Sequence, residues 1–355
     1  MDKPENLEEL FAGRHFNRDV IILCVRWYLR FKLSLRDLVE MMAERGLSLA
    51  HTTILRWFCQ QVRHCDPRRL GVQFLCVGEE RGMRCPKCQS TCINERPERT
   101  AQGYRRFRCL DCAKQFNERS GGLLNRTQYP SDVIALVVLW WRLRYKLSLR
   151  DLAEMFLIRG FVFTYEAVRD WEVKLTPALA EELRRSRKGK VGRSWYCDET
   201  YIRVHGHWKY LYRAIDRDGA LIDVMLSERR DLAAAKRFFR SAKAITGVTP
   251  GRVTTDGHDA YPRAIRTELG SRVSHRTNCY LNNRLEQDHR GVKGRCRPML
   301  GFKSVPSASR YCRAHDELRN LLRSRFQMCQ HVPAAVRRFH YMRRTAIALS
   351  ILEAA

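Results

Sequence analysis

The sequence predicts a multidomain protein, α-helical in its first half and mixed α/β in its second, with a small cysteine-clamped unit between helical modules. Three observations predict it. A seven-residue string, Lys32-Leu-Ser-Leu-Arg-Asp-Leu38, recurs unchanged as Lys146–Leu152; two Cys-x-x-Cys pairs fall between the copies; and after residue 194 the apolar residues change from helical spacing to alternation. A chain of 355 residues has room for two or three domains at roughly 100–200 residues each.

The repeat reaches beyond the shared string. Asp19-Val-Ile precedes the first copy and Asp132-Val-Ile the second, each followed by an apolar stretch with tryptophan, and Arg45-Gly46 and Trp57 have counterparts in Arg159-Gly160 and Trp171. In copy one, residues 14–65, Leu35, Leu38, Met41 and Met42 share one helix face behind a Ser34 N-cap, and Gly46 ends the helix. A second helix starts near His51, with Ile54, Trp57 and Phe58 inward. Copy two, residues 126–183, repeats the plan through Ser148, Gly160, a Thr164 cap, Val168 and Trp171. Helix, glycine turn, helix is the layout of a helix-turn-helix, and also occurs in plain helical bundles. As a DNA reader it would offer Thr52, Thr53 and Arg56 to a major groove from copy one, and Tyr165, Glu166 and Arg169 from copy two.

Cys85-Pro-Lys-Cys88 and Cys109-Leu-Asp-Cys112 have the spacing of a structural zinc site, four thiolates held by two knuckles. Tyr104–Arg108 between them reads as a short basic strand, which makes residues 80–120 a zinc ribbon, folded by Zn²⁺ because the segment is too short for its own core. Cys92 is a bystander. The other cysteines of the 14 are expected to be reduced, because the acidic start MDKPENLEEL lacks the apolar region of a secretory signal and points to a cytoplasmic, nucleoid-associated protein. No apolar run approaches the ~18 residues of a membrane span.

Net charge is +28, which calls for a polyanion, nucleic acid first. Part of it lies in Arg184–Arg193, a basic run with little apolar content that reads as a solvated linker able to follow phosphates.

From residue 194 to 330 the expected order is strand Ser194–Val204, strand Trp208–Ile215, strand Leu221–Leu226, helix Asp231–Ile245 and strand Arg252–Asp256, followed by further helices. Turns at His205-Gly206-His207 and Asp216–Gly219 separate the first three. This is the order of an RNase H-like α/β fold. Asp198 lies mid-strand, and Glu199 points to the opposite face by the period of two. Asp256 ends the fourth strand, and Glu286 starts a helix predicted over Asn283–Lys293. Three carboxylates gathered from distant segments are best used to hold two divalent cations about 3.5–4 Å apart, Mg²⁺ (or Mn²⁺) by donor type.

Trp195-Tyr-Cys-Asp-Glu-Thr-Tyr-Ile202, Trp208–Asp216, Thr255-Asp-Gly-His-Asp-Ala-Tyr261, Asn282-Asn-Arg-Leu-Glu-Gln-Asp-His289 and Leu300-Gly-Phe-Lys-Ser304 together resemble the DDE transposases of bacterial insertion sequences, closest to insertion-sequence family six. The resemblance covers residues 14–60 and 126–330. It implies a catalytic triad of Asp198, Asp256 and Glu286, binding of terminal inverted repeats and target DNA, cleavage and strand transfer without a covalent enzyme intermediate, and a dimer or larger assembly on paired ends. It also implies that Lys293, two helical turns after Glu286, contacts DNA ends. The duplicated helix-turn-helix and inserted ribbon depart from the compact members of the family, and the interval from Asp256 to Glu286 is shorter than usual there.

His258, His289 and Arg290 lie near these carboxylates in sequence as candidate phosphate contacts. Asp216, Asp218 and Asp223 are assigned to turn chemistry, and Asp288, about 200° around the helix from Glu286, cannot share its face. Ser307–Arg325 and Ala334–Leu352 read as two more helices with mixed basic and apolar faces, and residues 331–355 as a C-terminal helical segment. Two readings compete with a transposase: a non-enzymatic DNA-binding regulator, which leaves the three carboxylates without use, and a metal-dependent nuclease that only hydrolyses.

Overall fold

The computed structural model describes residues 16, 18–31, 33–44, 47–54, 57, 83–145, 147–157, 160–278, 283–323 and 334–354. Gly46, Arg56 and Phe58, named above, lie outside them.

The two copies fold alike because their caps are alike. In helix α2, Leu35–Glu44, the Asp37 amide donates to Ser34 Oγ at 3.1 Å and the Asp37 carboxylate accepts from the Ser34 amide at 2.8 Å. In α4, Leu149–Leu157, Ser148 and Asp151 make the same pair at the same distances. Each is a reciprocal cap that satisfies two helix-start amides. The helices also end alike: the Leu47 amide donates to the Met42 carbonyl and the Phe161 amide to that of Phe156, both at 3.0 Å, with Gly160 at φ +83°. The second helix of copy one is seen at residues 51–54 and 57; that of copy two is α5, Tyr165–Arg185, capped by Thr164.

The first helices differ. α1, Arg18–Arg30, is regular, whereas its counterpart is α3, Ser131–Ala135, continued by a π-helical stretch, Leu136–Arg142. The chain gives the reason: Asp132 to Lys146 is one residue longer than Asp19 to Lys32. A π turn absorbs a single inserted residue without breaking the helix. Both flanks then keep their register, and Trp27 and Trp141 meet in one core that also holds Leu38, Met41, Leu152 and Phe156.

Between the copies, β1 (Ile93–Arg99), β2 (Arg105–Cys109) and β3 (Gln115–Asn117) form an antiparallel sheet in that order, over a small core of Phe107 and Phe116.

The α/β half has five strands, β4 (Ser194–Val204), β5 (His207–Asp216), β6 (Leu221–Ser227), β7 (Arg252–Thr255) and β8 (Ser274–Thr277), in the order β6-β5-β4-β7-β8. Only β5 runs antiparallel to the others. That order and direction are those of the expected RNase H-like sheet. His205 and Gly206, both at positive φ, close the first hairpin in the manner of a type I′ turn. β8 was not among the expected strands; its run, Ser-His-Arg-Thr, is too polar to announce itself. Odd-numbered residues of β4, Trp195 and Cys197, pack on α6 (Leu232–Thr246) and α7 (Ala260–Glu268). Even-numbered ones, Ile202 and Val204, pack towards α8 (Asn283–Cys296) and α9 (Val305–Leu322). A last helix, α10, spans Ala334–Ala354.

α9 ties the parts together. The Tyr311 ring lies 5.0 Å from the Arg142 guanidinium carbon, His315 Nδ1 bonds the Leu143 carbonyl at 2.8 Å, and Asp316 receives Arg213 of β5. Glu317 pairs with Arg187 at 2.7 Å and Arg319 with Asp288 of α8 at 2.6 Å. Carbonyls at the end of a π-helical stretch have no ordinary intrahelical partner, and α9 supplies it.

In the run Arg184–Arg193, two arginines are not solvated, while Arg185, Lys188, Lys190 and Arg193 are exposed. Arg184 and Arg187 are buried, Arg184 against Asp223 at 3.4 Å and Arg187 against Glu317. Asp223 is likewise no turn residue: it sits within β6, fully buried, and accepts from Ser241 at 2.6 Å. Asp216 does serve its turn, accepting amides of Asp218, Ala220 and Gly192.

Candidate active site

β4 places Asp198 near the middle of the sheet, and β7 ends just before Asp256. β7 pairs with β4 only as far as Tyr196, so the next rows of β4 have a free edge on that side. Asp256 turns into this gap. Gly257 makes the turn possible: its φ is +97°, and a Cβ there would sit 2.6 Å from Thr277.

The free edge has a second effect. Glu199 packs on the face opposite Asp198, as the period of two requires, accepting from the Tyr261 hydroxyl and from Arg230. Yet carboxylate oxygens of Asp198, Glu199 and Asp256 all lie within 4.8 Å of one another, because side chains from the two faces approach around the uncovered edge. Glu199 is thus a fourth acid at the site that alternation alone assigns elsewhere. Arg230 spans it, donating to Glu199 and, at 3.1 Å, to Asp256. Asp198 Oδ1 accepts the Glu199 amide at 2.8 Å. Burial, then the neighbouring acids Glu199, Asp256 and Glu286, push the Asp198 carboxyl up to about 7.

Glu286 stands in the first turn of α8. It is outside the 4.8 Å group and half exposed. His289 lies between it and Asp198, its Nδ1 3.7 Å from Glu286 and 4.0 Å from Asp198, beyond hydrogen-bond reach of either. This histidine is buried and held down to about 3 by burial and by Arg213, Lys293 and Arg319, so it is neutral and sits between carboxylates; it does not face solvent as a phosphate contact must. Arg290 is exposed, 3.8 Å from Glu286. His258 is turned inward, its Nδ1 accepting from the Ala260 amide at 3.2 Å. Asp288 is buried against Arg319, away from the acids. Gly291 allows that approach, since a Cβ there would collide with the Arg319 guanidinium.

Elsewhere, the sulfurs of Cys85, Cys88, Cys109 and Cys112 gather within 4.8 Å, with three of the pairs at 3.5 Å. Tetrahedral zinc with Zn–S of about 2.3 Å sets its sulfurs about 3.8 Å apart, so the four fit one ion. Cys92 is exposed and outside the group. Thr52, Tyr165 and Arg169 are exposed and Thr53 is half-buried; Tyr165 stacks with Arg150 at 5.3 Å. Lys293 is half-buried on α8. Among the described residues no helix is long and apolar enough to cross a membrane.

A family model described as a DDE domain matches residues 192–325. The transposase for insertion sequence-like element IS431mec of Staphylococcus aureus is 36% identical over 176 residues, 47% of this chain and 75% of the relative. The transposase for insertion sequence element IS257 in transposon Tn4003, also from Staphylococcus aureus, has the same identity and coverage. Among solved structures, the HTLV-2 integrase catalytic core domain in complex with magnesium aligns at 17% identity with a TM-score of 0.29, over 38% of this chain and 89% of that one. The strand order, not that alignment, carries the fold assignment.

Proposed function

The chain belongs to the DDE transposases of bacterial insertion sequences, and we propose that Asp198, Asp256 and Glu286 are its catalytic carboxylates, cutting at terminal inverted repeats and joining the ends to target DNA. Transposition of DNA is the activity; the similarity is consistent with insertion-sequence family six. The observation that carries the site assignment is the gathering of Asp198 and Asp256 at the free edge of β4, with Glu286 on the first turn of α8 and His289 between it and Asp198.

The residues fit divalent cations. The donors are hard carboxylate oxygens gathered within 4.8 Å at Asp198, Glu199 and Asp256. Asp198, Asp256 and Glu286 would hold Mg²⁺ (or Mn²⁺), which when bound supplies Lewis-acid polarisation of the scissile phosphate and activation of the attacking hydroxyl. The carboxylates act as ligands, not general bases. His289, neutral, lies between Glu286 and Asp198 and adds no charge to the cluster. Arg230 fixes Asp256 from the side. Lys293, Thr52, Thr53, Arg56, Tyr165 and Arg169 are DNA contacts in this reading, and Cys85, Cys88, Cys109 and Cys112 hold structural Zn²⁺. A homodimer or larger assembly pairs the two ends.

Asp198→Asn, Asp256→Asn or Glu286→Gln is expected to abolish divalent-dependent joining of end DNA to a plasmid while leaving end binding intact. Joining retained by one variant removes that residue from the triad. Hydrolysis without joining in the unmodified protein would favour a nuclease, and end binding without either reaction a regulator.

A further inference from the structure

A cavity of about 620 Å³ opens on the sheet beside the carboxylates, and Arg193, Tyr196, Arg217, Arg252 and Arg276 line it. Among the described residues no acidic residue contributes to its wall.

The strand register places it. Ser194 pairs with Arg252 and Tyr196 with Thr254 across β4 and β7; Arg252 pairs with Ser274 and Thr254 with Arg276 across β7 and β8. Alternation puts Ser194, Tyr196 and Asp198 on one face, together with Arg252, Thr254, Asp256, Ser274 and Arg276. Groove and carboxylates thus share a face as successive rows: Arg252 first, then Arg276, then Asp198 with Asp256. Rows two residues apart are separated by about 6.6 Å along a strand, comparable to the step between successive phosphates of one DNA strand. The floor is rigid, because Trp195 and Val253 on the reverse side are fully buried. Arg276 is pinned to it, its Nε and Nη2 at 3.3 and 3.1 Å from Thr254 Oγ1.

A DNA strand whose scissile phosphate sits at Asp198 must leave along this face. In one direction along β4, Ile202 and Val204 are buried in the core shared with α8 and α9. In the other direction the face is open and lined with arginines.

We propose that this groove holds the sugar-phosphate backbone of the strand that continues from the scissile phosphate, with Arg276 on the nearest phosphate and Arg252 on the next. The assignment rests on the DNA-cutting role of Asp198, Asp256 and Glu286 given above. Tyr196, half-buried in the same row as Arg276, packs against the sugar beside that phosphate.

The test uses the full chain and duplexes carrying the element end, in which single phosphates on either side of the cleavage position are replaced by uncharged methylphosphonate. Affinity is measured without added metal. For the unmodified protein, neutralising the first or second phosphate on one side is expected to weaken binding about fivefold. Arg252→Gln/Arg276→Gln should start weaker and lose nothing further from either replacement. Its slope of log affinity against log salt should be shallower by about 1.8, at ~0.9 per phosphate contact on duplex DNA. Arg252→Gln alone, which leaves the Arg276–Thr254 bonds in place, should lose only the second-phosphate effect. Unchanged affinity and slope in the double variant, or an undiminished methylphosphonate effect, overturns the proposal. Mg²⁺-dependent cutting of the unmodified duplex by the unmodified protein is run alongside: its absence counts against the catalytic assignment, while the metal-free affinities judge the groove on their own.

Discussion

Trp27 and Trp141 hold the same position in the two copies of the repeat, and their indoles meet edge to face at 5.3 Å with planes 82° apart. The copies therefore pack on each other through the residue they share, and their apolar faces close into one core. The described helices of the two copies share one core.

Trp141→Ala is expected to destabilise the protein by about 3–5 kcal/mol, the range for emptying a buried tryptophan site. Trp27→Ala should do the same, and the double variant should cost less than both together, because the edge-to-face contact of ~0.5–1.5 kcal/mol is lost only once. Denaturant unfolding of the three variants measures it. Additive losses would mean that the two rings do not interact.

Arg142, at the end of the π-helical stretch, is buried 2.7 Å from Glu172. Arg142→Met leaves Glu172 as an unpaired buried acid and should cost about 3–5 kcal/mol. Arg142→Met/Glu172→Leu should regain most of it. The melting temperature reports stability, and tryptic cleavage between residues 183 and 194 reports whether copy two still docks on α9.

One zinc per chain is expected by elemental analysis of the purified protein. Cys85→Ser should lose it and open residues 83–124 to protease, whereas Cys92→Ser should keep it. Metal-free protein with the segment still protected would refute the site.

Glu317 gives a pH dependence. Burial pushes its carboxyl from 4.5 up to about 7 against the opposing pull of Arg187 and Arg184. The folded protein then holds a proton that an unfolded glutamate has released, so this contribution to stability is full below about pH 4.5 and is lost as pH rises through about 7. Melting temperature should fall across that window, and Glu317→Gln should flatten the fall. A melting curve against pH that is the same for both proteins would exclude it.

Several features were legible in the residues. The capping pairs Ser34–Asp37 and Ser148–Asp151 are local, as are the Cys-x-x-Cys knuckles and the Asp216 turn, so spacing alone announces them. The α/β element order followed from a change of hydrophobic period, and β4 runs over the expected Ser194–Val204. The π stretch also had a signal in the chain, the single extra residue between Asp132 and Lys146, but only comparison of both flanks of the repeat exposes it.

By itself the sequence determined the duplicated modules, the four-cysteine unit, the α/β half and the identity of Asp198, Asp256 and Glu286 as the acids to watch. The modules, the cysteine unit and the α/β half depend on interactions within a few residues of each other or on patterns carried along one strand or helix, whereas the three acids, from distant segments, were marked by the resemblance to the family's motifs. The tertiary structure alone decided that Glu199 joins the acids, that His289, Arg184, Arg187 and Asp223 are buried and not surface groups, and that an arginine-lined cavity shares the sheet face of Asp198. Alternation specifies the face a side chain starts from. Where β7 stops short and leaves the edge of β4 open, only the packing of neighbouring strands and helices sets where the charged end of that side chain arrives.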